Sequence, residues 1–203
     1  IDTSPRSEPP DGHPAPAVMA RWLDGVARHV EDCTDVWLGV YRALQERLVN
    51  VFPETNFGGA AAGAQPHQWA GCGAFRLRDN EALLIEVIPP TARYWSFHLG
   101  NVWCETLDLN RQTSLNGHQA VLDRDGGFRA VIAHADPGVP NWLDTTGRSE
   151  GSMVCRWNTA DHFPVPRCRV IKLASLRDDL PPDTPVLTPV QRQTILDARR
   201  EGL

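Results

Sequence analysis

Apolar residues along the chain keep two different rhythms. Over residues 17–32, Val18, Met19, Trp22, Leu23, Val26 and Val30 recur at helical spacing. From Asp35, with Thr34 as a cap, Val36, Trp37, Val40, Tyr41, Leu44, Leu48 and Val49 repeat that pattern over 35–50, until Pro53. The short break at Cys33-Thr34 predicts a helical hairpin, or one bent helix. From Trp69 the rhythm changes to short β-like runs with turn residues between them. It predicts strands at 69–77, 82–88, 92–101, 103–108, 119–122, 128–134, 152–157 and 168–173. "RDNE" and "DRDGG" read as hairpin turns, the second using Gly for its positive φ. A last helix is expected from Thr188, with Pro189 in its first turn, to about Arg200.

Eight short strands with no helices between them cannot make a parallel α/β sheet. The expected fold is mainly β: an antiparallel β-sandwich or jelly roll with an N-terminal helical hairpin and a C-terminal helix. Four segments follow. Residues 1–16 hold five of the 17 prolines and read as a Pro-rich arm. Residues 17–52 are the helical hairpin, expected to pack on the core or on a partner. Residues 53–68 are a flexible connector, and 69–203 are the sandwich with its C-terminal helix.

Composition removes several function classes. Net charge is −5 and the basic residues do not cluster, which argues against nucleic acid. No apolar run is long enough to span a bilayer, and no secretory signal is visible, so a cytoplasmic protein is expected. The chain opens on Ile1 rather than Met. Five cysteines with no CxxC pair fit neither a disulfide framework nor a zinc ribbon, and read as free thiols in a reducing compartment.

Two glycine-rich stretches invite cofactor readings and fail them. "GGAAAGA" (58–64) lacks the Lys-Ser/Thr of a phosphate loop, and "GCGAFR" has Arg76 where a dinucleotide fingerprint needs its third Gly. "HAD" (134–136) suggests a His-x-Asp metal pair, but His162 follows too closely to complete a facial triad, and Asp-Pro-Gly is a turn opening. Asp123 and Asp125 lack the other ligands of a calcium loop. Neither a metal nor a cofactor is expected.

The polar residues that remain define a candidate site. In "ARYWSFHLGN", Tyr94, Ser96 and His98 share one face of a strand while Trp95, Phe97 and Leu99 share the other. The long loop "DPGVPNWLDTTG" carries Asn141, Trp142 and Asp144. Arg156 lies in a strand beside Trp157, where a guanidinium needs a carboxylate or ligand, and Asp144 is the expected partner. Asn101 ends the predicted strand 92–101, and Asn116 and His118 stand between predicted strands. Tyr94, His98, Asp144 and Arg156 are therefore the catalytic candidates. Trp95, Asn101, Trp103, Asn116, His118, Asn141, Trp142 and Trp157 are the ligand-binding candidates. Internal bracing of the loop and a Trp-rich core are the competing explanations for the same residues.

The stretches "EALLIEVIPPTARYWSFHLGNVW" and "TSLNGHQAVLDRDGGFRAVIAHADPGVPNWLDTTG", then Arg156-Trp157, resemble the domain-of-unknown-function family numbered 1214. The tail "PVPRCRVIKLASLRDDLPPDTPVLTPVQRQTILDARR" is similar to its actinobacterial branch. The resemblance covers residues 69–200. It implies a jelly-roll type β-sandwich, often the C-terminal domain of a longer protein with helices ahead of it. It implies no settled reaction and no catalytic residues, and "LNGHQA" departs from it around Gly117 and His118.

The expected function is a cytosolic β-sandwich with a Trp-lined pocket for an apolar or amphipathic metabolite of terpenoid, steroid or acyl class. Should it act on that ligand, the residues favour metal-free acid/base chemistry, as in a lyase, isomerase or hydrolase. The alternative is a non-catalytic partner or assembly domain, a homo-oligomer or second subunit docking through the N-terminal helices. A metal-dependent oxygenase is the weaker alternative.

Overall fold

The computed structural model describes residues 14–56 and 67–202. The rest of the Pro-rich arm and the "GGAAAGA" part of the connector lie outside the described residues. The chain divides into two compact units, Ile1–Trp37 and Leu38–Leu203.

Helix α1 (Pro16–Arg47) is a single continuous helix, not the expected hairpin. Neither Cys33 nor Thr34 is a helix breaker. Each costs about 0.7 kcal/mol at most relative to Ala, and the apolar repeat runs through them. Within the second unit, the end of α1 and the residues after it bury Val40, Leu44 and Leu48 against Cys72, Ala74 and Val154.

Eight strands follow: β1 (Gln68–Arg76), β2 (Glu81–Val87), β3 (Ala92–Gly100), β4 (Ser114–Asn116), β5 (Phe128–Ala133), β6 (Trp142–Asp144), β7 (Glu150–Ala160) and β8 (Arg167–Lys172). They form two open four-stranded sheets, ordered β1-β7-β3-β4 and β6-β5-β2-β8. All neighbours are antiparallel except β5 and β6. The sheets pack as a sandwich. Trp69, Phe75, Phe97 and Trp157 of the first sheet meet Leu83, Ile85, Phe128 and Ile132 of the second. Trp95 lies edge-on to Phe128 at 5.0 Å between ring centroids, a favoured aromatic geometry.

The two sheets differ on their outer faces. The second is covered there too, with Leu84, Val131, Val139 and Trp142 packing beneath Leu176 and Leu180. Leu176 belongs to a short 3-10 helix (Leu173–Asp179). That double burial is why β2 reads as the unbroken apolar run "ALLI". The outer face of the first sheet is polar over β3 and β4, and there the candidate site is found.

Some predicted elements take another form. Residues 103–108 and 119–122 are not strands but contribute single bridges, Gly100 to Thr106 and Leu122 to Phe128. The three-residue strands β4 and β6 stand where none was expected. "RDNE" is a turn, but it links the two sheets instead of closing a hairpin, since β1 pairs with β7 and β2 with β5 and β8. "DRDGG" turns the chain back, with Gly126 at φ 77°, but only its far side is a strand, and Leu122 meets Phe128 in a single bridge. The C-terminal helix α2 (Pro189–Glu201) opens as predicted: Thr188 and Gln191 form a capping box and Pro189 occupies the first turn. Among the described residues, no helix is long and apolar enough to cross a membrane.

Candidate functional site

The loop from His134 to Thr146 makes a parallel connection that should be too short. Parallel neighbours usually need a crossover of a dozen or more residues, yet only residues 134–141 separate β5 from β6. Side chains hold this tight path in place. Asn141 accepts from Val121 N at 2.9 Å and donates to Val121 O and Arg129 O at 2.7 and 2.9 Å. Trp142 Nε1 donates to Ala133 O at 3.1 Å. Gln112 donates to the Pro140 and Trp142 carbonyls. Arg192 reaches in from α2 to Asp136 at 2.8 Å and to the Val139 carbonyl, with its guanidinium 5.1 Å from the Trp142 ring. His134 bonds Thr145 Oγ1 through Nδ1 at 2.8 Å. Every polar side chain of the "HAD" and "NWLD" stretches is thus engaged in holding backbone or its neighbours.

Asp144 belongs to that brace. Its Oδ2 accepts from Arg111 at 2.6 and 2.7 Å and its Oδ1 from Thr146 N at 2.7 Å. The expected Asp144–Arg156 pair does not form. Asp144 therefore does not join Arg156 as a catalytic candidate, because Arg111, not Arg156, is its partner. Asn116 folds its own turn, accepting from His118 N and Gln119 N. Asn101 likewise accepts from Trp103 N and Glu105 N. Trp95, Trp142 and Trp157 are buried and fill cores instead of lining a cavity, and Trp157 Nε1 is satisfied by Pro164 O. Of the candidate indoles only Trp103 is exposed. It borders an open cleft with Asn101 and residues 147–150.

Three of the four catalytic candidates do gather, on the outer face of the first sheet. Strand alternation puts Tyr94, Ser96 and His98 there, and the β3–β7 register sets Arg156 opposite Ser96 and Asn158 opposite Tyr94. Tyr94, Ser96 and His98 line a cleft of about 210 Å³ with Thr106, Ser114, Leu115, Asn116 and Gln119. Among the described residues, no carboxylate lines it. The half-buried His98 has its pKa lowered, first by desolvation and then by the Arg156 charge, so the ring is neutral at pH 7. Tyr94, Ser96, His98 and Arg156 make no side-chain hydrogen bond or ion pair to another described residue. Among the described residues, no fully buried side-chain nitrogen or oxygen is left without a partner, so their polar atoms open to the cleft or to solvent.

A second cleft of about 390 Å³ adjoins the first through Leu115 and Gln119. His118, Val121, Pro140, Ile195, Ala198 and Arg199 complete most of its wall. Arg199 clamps α2 to β4 by donating to the Ser114 carbonyl and hydroxyl, with no carboxylate beside it, and desolvation lowers its pKa. Gly117 is required here, because a Cβ would stand 2.6 Å from Trp95 Nε1. That contact accounts for the "LNG" turn. All five cysteines are free, and burial raises Cys72 to about 11 and Cys168 to about 12, keeping both thiols protonated.

Sequence reasoning missed Arg111, Gln112 and Arg192 as bracing groups, and Ser114 and Gln119 as cleft walls. Arg111 is 33 residues from Asp144 and Arg192 is 56 from Asp136, so no local pattern could have paired them.

No family model matches the chain, and no curated protein matches it. Among solved structures, it is similar to an uncharacterised protein from Burkholderia cenocepacia. The identity is 32% and the TM-score 0.70, over 81% of this chain and 47% of that one. The chain therefore spans about half the length of that structure. A protein from Vibrio parahaemolyticus matches at 18% identity and a TM-score of 0.40, over 51% of this chain and 31% of that one.

Proposed function

We propose that this protein binds a small amphipathic molecule on the outer face of its first sheet. The molecule's anionic group, a carboxylate or its equivalent, sits near Arg156, and its apolar part lies along Leu115 toward the cleft beside α2. The observation that carries this reading is that Tyr94, Ser96, His98 and Arg156 are not engaged by the fold, while the other polar candidates nearby are. A guanidinium without a counter-ion, on the same face as a cleft that no described carboxylate lines, favours an anionic ligand. Binding is favoured over catalysis because Asp144, the only carboxylate of the acid/base set, is held by Arg111. Metal-free proton transfer would rest on neutral His98 as base and Tyr94 as donor. In the same proposal the chain is a member of family 1214, on the sequence stretches quoted above.

The test is calorimetric titration of medium-chain fatty acids and terpenoid or steroid carboxylates into the wild-type chain and Arg156→Gln. Losing a charge-assisted bond worth about 1.5–3 kcal/mol should weaken binding roughly 10- to 100-fold. Equal affinity in the variant, or binding only of neutral ligands, overturns the proposal.

A further inference from the structure

We propose that the cleft beside α2 holds a second anionic group, so that the ligand bound at Arg156 is an apolar chain with a carboxylate, or its equivalent, at each end. Arg199 reads the far end, and the inference rests on the Arg156 reading above.

Arg199 stands in the last turn of α2 and in the wall of the cleft of about 390 Å³. Its guanidinium carries five N–H donors. Among the described residues, its bonds all go to neutral acceptors. Nε donates to the Leu109 carbonyl at 3.0 Å, Nη1 to the Ser114 carbonyl at 3.1 Å and Nη2 to the Ser114 hydroxyl at 2.6 Å. Two donors and the whole charge are left without an anionic partner. Other arginines of the fold are answered: Arg111, Arg129, Arg169 and Arg192 each meet a carboxylate at 2.6–2.8 Å. Arg200, the next residue, meets Asp197 at 3.0 Å. Arg199 is half-buried, and desolvation is the only cause acting on its pKa. An anion in the cleft would supply the missing charge through charge-assisted bonds.

The rest of the wall suits the same ligand. Gln119 accepts from Asn116 N through Oε1 at 3.1 Å, which leaves its amide nitrogen to donate. No described carboxylate lines either cleft, and Leu115 and Gln119 belong to both. Leu115, Val121 and Ile195 give the path between the two arginines its apolar surface. Strand register sets the span. Arg156 lies opposite Ser96, and β4 places Ser114 opposite His98. Two strand spacings of about 4.8 Å and two residues of rise put the Cα atoms of Arg156 and Ser114 about 12 Å apart. A short dianion cannot touch both ends, and a medium-length chain can.

The experiment is calorimetric titration of wild type with dodecanedioate beside dodecanoate, and with butanedioate beside butanoate. With no cation in the α2 cleft, the second carboxylate would lose water without gaining a partner, and dodecanedioate would bind the more weakly. With Arg199 there, it should bind about tenfold or more tightly than dodecanoate. Butanedioate should show no such gain over butanoate. Arg199→Gln should remove the gain, and Arg199→Lys, which keeps the charge, should retain it. Arg199 also clamps α2, but the comparison of ligands on wild type needs no variant. Dodecanedioate binding no more tightly than dodecanoate, or a gain that survives Arg199→Gln, overturns the proposal and leaves the Arg156 reading standing. No binding of either ligand overturns both.

Discussion

The β5–β6 loop and the outer face of the first sheet carry the same kinds of side chain and use them in opposite ways. In the loop, Asn141, Asp144, His134 and Arg192 close a connection that backbone hydrogen bonds alone could not hold. On the sheet face, β3 pairs with β7 along most of its length and with β4 over Ser96–His98, and Leu99 N and Trp95 O find backbone partners in Thr113 and Gly117. The side chains of Tyr94, Ser96 and His98 are then surplus to folding. Irregular backbone consumes polar side chains, and a regular ladder releases them. A polar cluster on a ladder is therefore the stronger sign of a ligand, and the same cluster on a tight loop is the weaker one.

That contrast makes graded predictions. Arg192→Ala should do most harm. Removing one partner of a buried pair costs about 3–5 kcal/mol, nearer the lower figure because Asp136 keeps 32% of its side chain in water. Chemical denaturation should show the loss, and the melting temperature should fall by roughly 6–12 °C for a domain of this size. Asn141→Ala comes next, since it strands two carbonyls and an N–H in a partly buried place, at about 2–3 kcal/mol in the same assay. Acid should act more gently, through His98. Its folded pKa lies below the unfolded value of about 6.5, so the unfolded chain takes up the proton first and stability falls as pH drops below that value. Above it the ring contributes no pH dependence. His98→Gln should flatten this part of the stability–pH curve. Arg156→Gln should flatten it only in part, because desolvation, the larger cause, remains. Smallest of all, Tyr94→Phe and Arg156→Gln should each change stability by less than about 0.5 kcal/mol. A loss of several kcal/mol from either would erase the distinction between the two regions.

The sequence made the sandwich legible wherever a strand buries a face. β1, β2, β3, β5, β7 and β8 all stand within a few residues of the positions their apolar alternation predicts. The short strands β4 and β6 are set by tertiary pairing, and three residues are too few to show a period. Residues 103–108 alternate well but meet the first sheet only at Thr106, so pattern outran pairing. The helical hairpin was an over-reading of a polar interruption that carries no breaker. The face holding Tyr94, Ser96 and His98 was legible from alternation alone. The role of Asp144 was not, because nearness in sequence to Arg156 says little in a fold whose partners come from 33 to 56 residues away.

The most direct test of the account combines Tyr94→Phe, Ser96→Ala, His98→Gln and Arg156→Gln in one chain and measures its binding isotherm for an amphipathic carboxylate such as dodecanoate beside wild type. The account predicts a folded variant, melting within about 2–4 °C of wild type for each 1 kcal/mol of residual change, in which saturable binding is lost. A variant that binds dodecanoate as tightly as wild type, or one that no longer folds, would contradict it.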